Sequence, residues 1–232
     1  MLFLLLFPLF LFGISYEHVA DKIWQNECNK SIAGLTTWKK GEEFASLGIG
    51  HFIWYPENKI DRYEETFPSL VAFLEKEGMQ APAVAKGRCP WTSRDQFYQE
   101  INSKNMEELR DYLIATKGAQ VKFIVERLDH TSKDFPKEVL PKYEALKKDD
   151  KGLFALIDYL NFKGSGLSES ERYQKEGWGL IQVLNDMKES SLQAFIESAK
   201  NRLVLRVKNS PPERKEQQWL KGWINRLERY LE

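Results

Sequence analysis

Apolar positions along this chain follow three different patterns. The first is continuous: residues 1–15, MLFLLLFPLFLFGIS, carry no charged side chain. The run falls short of the roughly 20 apolar residues that a bilayer-spanning helix needs. It reads as a secretory signal with Gly13-Ile14-Ser15 as a small-x-small cleavage site, although the positively charged segment that usually precedes such a run is missing. An uncleaved anchor or a buried helix is the alternative. No cysteine follows closely, which argues against a lipoprotein. Cleavage would leave a mature chain of residues 16–232, starting near Tyr16, with no stable membrane anchor and in a periplasmic or secreted location.

The second pattern has a helical period. Ala20, Ile23, Trp24 and Glu27 fall at i, i+3, i+4 and i+7, on one face of a helix. Glu27 thus continues an apolar stripe, and a carboxyl group held against apolar neighbours has its charged form disfavoured, which suits a general acid. The same period returns after Thr66. Phe67, Leu70, Val71 and Leu74 form one stripe; Met106, Leu109 and Leu113 form a second; Val121, Ile124, Val125 and Leu128 form a third. Thr66-Phe67-Pro68 looks like a helix start, Thr92 to Asp95 and Asn105 to Glu108 like capping boxes. Lys147 to Lys151 is a charged turn and the best candidate for a subdomain boundary. Two long amphipathic helices flank Pro211-Pro212, the last carrying Trp219, Trp223 and Leu227 towards the core.

The third pattern lies between these. From Leu35 to Tyr55 turn residues and aromatics alternate, as in a short hairpin or a small three-stranded sheet. Gly48 and Gly50 permit a positive φ or a close approach of ligand to backbone. Strand alternation places Glu42, Phe44 and Ser46 on one face and Glu43, Ala45 and Leu47 on the other. Trp54 is placed to stack on a ligand ring or to fill the core. The fold class is therefore α+β and predominantly helical, a small β-hairpin lobe beside a larger helical lobe. A single domain over 16–232, with a helical C-terminal extension, suits the length of 232 residues.

Composition narrows the chemistry. The 34 basic and 34 acidic residues cancel, so the chain offers no general attraction to nucleic acid. His18, His51 and His130 share no metal-ligand spacing, and no metal site is expected. In an oxidising compartment Cys28 and Cys89 could pair; two buried free thiols are the alternative. An apolar helix from Leu153 to Leu160 delivers Tyr159 and Asn161 to the turn at Gly164-Ser165-Gly166, either as a cleft wall or as a plain helix stop.

Glu27 at a helix end, followed by Ser46-Leu47-Gly48-Ile49-Gly50-His51, resembles the phage-type lysozymes within the lysozyme-like superfamily. Those muramidases carry a Glu at the end of their first long helix and then a β-hairpin with Thr-x-Gly-x-Gly-His. The family Thr falls on Ser46, its Asp falls on Lys40, and the interval from Glu to the glycines is four residues longer here. The resemblance covers about the first quarter of the chain. It implies cleavage of peptidoglycan glycan strands between N-acetylmuramic acid and N-acetylglucosamine, without a cofactor. Glu27 would be the general acid, Glu42 the likeliest water-activating base by strand alternation, and Ser46 the group orienting that water. His51 would anchor the hairpin, and Trp54, Tyr159 and Asn161 would contact substrate. Two other functions fit the same residues: a lytic transglycosylase using Glu27 alone, which the missing Asp favours, and a non-catalytic periplasmic protein that binds glycan or a partner.

Overall fold

The computed structural model describes residues 14–57, 59 and 63–232. Of the apolar run read as a signal, only Ile14 and Ser15 are among them. Ser15 caps α1 (Tyr16–Cys28), its side chain accepting from the backbone N–H of His18. Val19, Ala20 and Ile23 bury the apolar face of α1, each contributing on the order of 1–3 kcal/mol by removal from water. The helix ends because Asn29 turns left-handed at φ 50°, a conformation that Asn tolerates, and Lys30 follows at φ 53°. Glu27 consequently sits in the last turn.

Three short strands follow: β1 (Thr36–Thr37), β2 (Ala45–Leu47) and β3 (Phe52–Trp54). They form one antiparallel sheet in that order, with Thr36 opposite Leu47 and Ala45 opposite Trp54. The small three-stranded sheet is thus present. The helices are α2 (Phe67–Lys76), α3 (Arg94–Gln99), α4 (Lys104–Ala115), α5 (Lys117–Ser132), α6 (Leu140–Leu146) and α7 (Asp150–Lys163). A two-stranded ribbon, β4 (Arg172–Tyr173) with β5 (Glu176–Gly177), precedes α8 (Leu180–Asp186), α9 (Leu192–Asn209) and α10 (Gln217–Glu228). The architecture is mostly helical with small antiparallel sheets. None of the described helices is long and apolar enough to cross a membrane.

Helix starts differ in detail from the expected boxes. Ser93, not Thr92, caps α3 by accepting from Gln96 N–H, and Ser103 caps α4 two residues before the expected Asn105. In both cases a serine hydroxyl takes the extended cap position, one residue after the expected Thr92 and two before the expected Asn105. Thr66 does not cap α2; its hydroxyl instead accepts from Ile53 N–H at 2.9 Å, tying the sheet to the helix start. The charged turn at 147–151 marks no break in the interior. Asp149 caps α7, and buried residues on both sides belong to one hydrophobic cluster running from Val19 to Tyr230. Of the three residues expected to close the core, Leu227 is buried, Trp223 half-buried and Trp219 exposed.

The glycine turn is held by Gln120, a wholly buried side chain of α5. Its Oε1 accepts from Ile49 N–H at 3.0 Å and its Nε2 donates to Leu113 O. A Cβ on Gly48 would stand 2.6 Å from that same Oε1, and the residue lies at φ +71°. The close approach that Gly48 permits is therefore to the chain's own glutamine, an arrangement that fixes the hairpin tip against the helical lobe.

Candidate active site

Glu27, Gly50, His51, Asn161, Phe162 and Arg226 line a hollow of about 370 Å³. It adjoins a larger cavity of about 600 Å³, the two sharing Gly50 and Asn161 as walls. Together they make a groove between the glycine hairpin on one side and α5 and α7 on the other. The two volumes lie in the range of small-molecule sites.

Glu27 is not the carboxyl group among apolar neighbours that its stripe position suggests. Ile23 and Cys28 on either side of it are buried, but Glu27 itself faces a cation from the opposite end of the chain. Arg226 Nη2 donates to its Oε1 at 3.0 Å, and His51 Nδ1 stands 3.6 Å from its Oε2. The pairing has a local cause. A carboxylate in the last turn of a helix meets the negative end of the helix dipole, and α1 has no basic residue in that turn. A guanidinium from α10 supplies the missing positive charge.

Arg226 is itself positioned by Asp158, whose side chain is only 3% exposed. Arg226 Nε and Nη2 form a two-pronged bond to Asp158 at 2.8 and 2.7 Å. Tyr230 Oη donates to the same carboxylate at 2.6 Å and Asn26 Nδ2 at 3.2 Å. Four donors satisfy the buried carboxylate, the condition under which a buried ion pair can be sustained. Burial alone would lower the Arg226 guanidinium; hydrogen bonding and charge from Asp158, with Glu27 behind, outweigh it and raise its value. Burial pushes the Tyr230 phenol well up, and Asp158 adds to this.

Behind the site, Cys28 Sγ lies 3.7 Å from His51 Nε2. Thiol, imidazole and carboxylate thus stand in the order of a nucleophile, its base and an orienting acid. The thiol, however, is buried, does not line the hollow, and is pushed up to about 11 by burial with Glu27 adding to the effect. That is the opposite of an activated thiolate. Burial also holds the His51 imidazole below its usual value, Glu27 offsetting only part of this. Cys28 and Cys89 are both free and buried, and they do not pair; Cys89 donates to Trp91 O instead.

Of the residues assigned from sequence, Glu27, His51 and Asn161 meet at the groove. Ser46 is 4% exposed, within the central strand, and is absent from the groove walls, so it is not placed to orient a water there. Trp54 is fully buried, packed at a tilt against Phe67 and edge-on to Trp91, and is a core residue. Tyr159 is fully buried too, its hydroxyl donating to Trp178 O at 2.7 Å. Glu43 points to solvent beside Lys59. Glu42 is half-buried and acts electrostatically on His51, but its Oε2 is buried with no hydrogen-bond partner and it is not among the groove walls. Residues 42–44 precede β2, so alternation does not extend cleanly to them. Lys40, where the family's second acid would fall, is exposed.

Arg226, Asp158, Tyr230 and Phe162 were not singled out from sequence. One signal was available: an Asp inside the apolar run Leu153 to Leu160 requires a buried partner. Comparison with protein families, curated proteins and solved structures finds no match.

Proposed function

We propose that this chain cleaves the glycan strands of peptidoglycan, with Glu27 as the acid that protonates the glycosidic oxygen. The observation that carries this is the placement of Glu27: at the end of the first helix, lining a hollow with the Gly50-His51 turn that adjoins the cavity walled by α5 and α7. The resemblance of Ser46 to His51 to the phage-type lysozymes points the same way. Arg226 occupies Oε1, so the donated proton is carried by Oε2, the oxygen facing His51. Arg226 then stabilises the carboxylate left behind, an electrostatic role exerted through a donor already in place. His51, held neutral by its burial, does not compete as an acid near neutral pH.

A single-acid lytic transglycosylase is the second form of this reaction, and one observation favours it. Neither Glu42 nor Ser46 lines the hollow around Glu27, and Lys40 stands exposed where a second acid would be. In that form the sugar's own hydroxyl attacks, and Glu27 takes up the proton it lost. Mass spectrometry of purified peptidoglycan after digestion distinguishes the outcomes. Reducing ends mean hydrolysis, 1,6-anhydro ends mean the transglycosylase, and intact strands mean a non-catalytic binding protein. Glu27→Gln keeps the shape but removes the transferable proton, so turnover should fall by about 10²–10⁴-fold while glycan binding survives. Full activity in that variant refutes the assignment. The exported location follows only from the apolar run at residues 1–15.

A further inference from the structure

We infer that the far half of the groove is a carboxylate-binding subsite, occupied in the free protein by the chain's own Glu64. The inference rests on the glycan-cleaving function and specifies which glycans the groove selects. The 600 Å³ cavity is lined by Glu64, Thr66, Arg127, His130 and Thr131, beyond the shared walls Gly50 and Asn161. Arg127 Nη1 and Nη2 donate to the two oxygens of Glu64 at 3.1 and 2.8 Å, a two-pronged fit that guanidinium makes with carboxylate or phosphate. Glu64 comes from the segment before α2 and Arg127 from α5, so the pair ties that segment to α5 at the groove.

Two further features separate this pair from an ordinary surface ion pair. Arg127 has a second contact that does not depend on Glu64, its guanidinium lying 5.8 Å over the Phe123 ring. The pair is also accessible, the two side chains being 41% and 68% exposed. An ion pair so open to water is worth only about 0–1 kcal/mol. An incoming carboxylate in the same fork therefore displaces Glu64 at small cost, while the rest of the ligand gains the walls of the cavity. Beside the fork, His130 offers a ring nitrogen and Asn161 a side-chain amide that hydrogen-bonds no described residue. A glycan bearing a carboxyl group, on the sugar or on a substituent, meets this chemistry; a neutral chito-oligosaccharide does not.

The two residues of the pair should respond in opposite directions. Calorimetric titration of the Glu27→Gln protein compares three probes: carboxylated peptidoglycan fragments, the same fragments with carboxyls reduced to alcohols, and a chito-oligosaccharide of equal length. Adding Arg127→Gln should weaken the carboxylated probe by about tenfold. Adding Glu64→Gln should tighten it by about two- to fivefold, because the internal competitor is gone. Neither change should move the other two probes. The tightening is an effect that misfolding cannot produce. Equal affinity for carboxylated and reduced fragments overturns the subsite, as does loss of cleavage by Glu64→Gln alone, which would make Glu64 catalytic. Selective binding without any cleavage products leaves the subsite standing and removes the cleavage function. Products without selectivity do the reverse, and no binding to any probe removes both.

Discussion

Lys163, the last residue of α7, is 7% exposed and should be a net liability at neutral pH. Its Nζ lies 3.3 Å from the centre of the Trp223 ring and 3.9 Å from that of Phe162. Ring faces favour an ammonium, by up to about 2 kcal/mol when desolvated. Against this stand burial first, then the guanidiniums of Arg206 and Arg226, with only Glu216 in support, and the amine is pushed down from 10.5 to about 6. The unfolded chain binds a proton that the folded chain rejects, so this group's contribution to stability rises with pH between those two values. Each unit is worth 1.36 kcal/mol, which puts the cost at about 4 kcal/mol at pH 7.5, or about 2 if the ring faces return their full share. Lys163→Met keeps most of the volume and removes the titration. Denaturant unfolding from pH 6 to 10.5 should show the variant about 2–4 kcal/mol more stable at pH 7.5. The gap should close towards pH 10.5. A variant less stable than the parent at pH 7.5, or a gap that widens as pH rises, refutes the reasoning.

Other outcomes follow from the site. Asp158→Asn strips a half-buried guanidinium of its main counter-charge and should cost about 2–4 kcal/mol in denaturant unfolding; a loss below 1 kcal/mol would show that Glu27 and Tyr230 suffice. His51 has a depressed value in the fold, so it contributes stability present above its unfolded value of 6.5 and lost as pH falls through the folded one. His51→Asn, which tolerates the positive φ of 50° at that position, should flatten the acid side of the stability curve below about pH 6.5, and an unchanged acid limb counts against it. Both thiols should be silent to a disulfide reagent in the native protein and both should react after unfolding without reductant; no reaction in the unfolded chain would mean that they pair.

Much of the fold is legible because it is local. The stripe on α1, the glycine hairpin and the stops at Gly164 and Pro211 are short-range consequences of periodicity and φ, and all are present. The site was legible only in part, for two physical reasons. The first is phase. Tyr159 and Asn161 are two residues apart on a helix, about 200° around its axis, so one groove cannot take both. The structure gives the groove to Asn161 and the core to Tyr159. Similarly, Trp54 lies on the buried side of β3 and packs into the core, so it is not a groove wall. The second reason is distance along the chain. Arg226 reaches Glu27 across 199 residues, and no window of sequence joins them. The charge of the Glu27 environment was therefore invisible, although the isolated Asp158 in an apolar helix announced that some partner had to exist.

The Asp158 junction also has a meaning in time. Its donors come from α1, α10 and the turn after α10, so the first and last helices of the described chain meet at one carboxylate carried by α7. During synthesis α1 and α7 emerge long before Arg226 exists. Until then Asp158 has no guanidinium to justify its burial, and Glu27 has no cation beside it. An unfinished chain is thus held back from a completed site by its own wiring. The cation beside Glu27 arrives only when the final helix has docked, a contact that closes a loop of 199 residues, and the entropic cost of such closure grows with loop length.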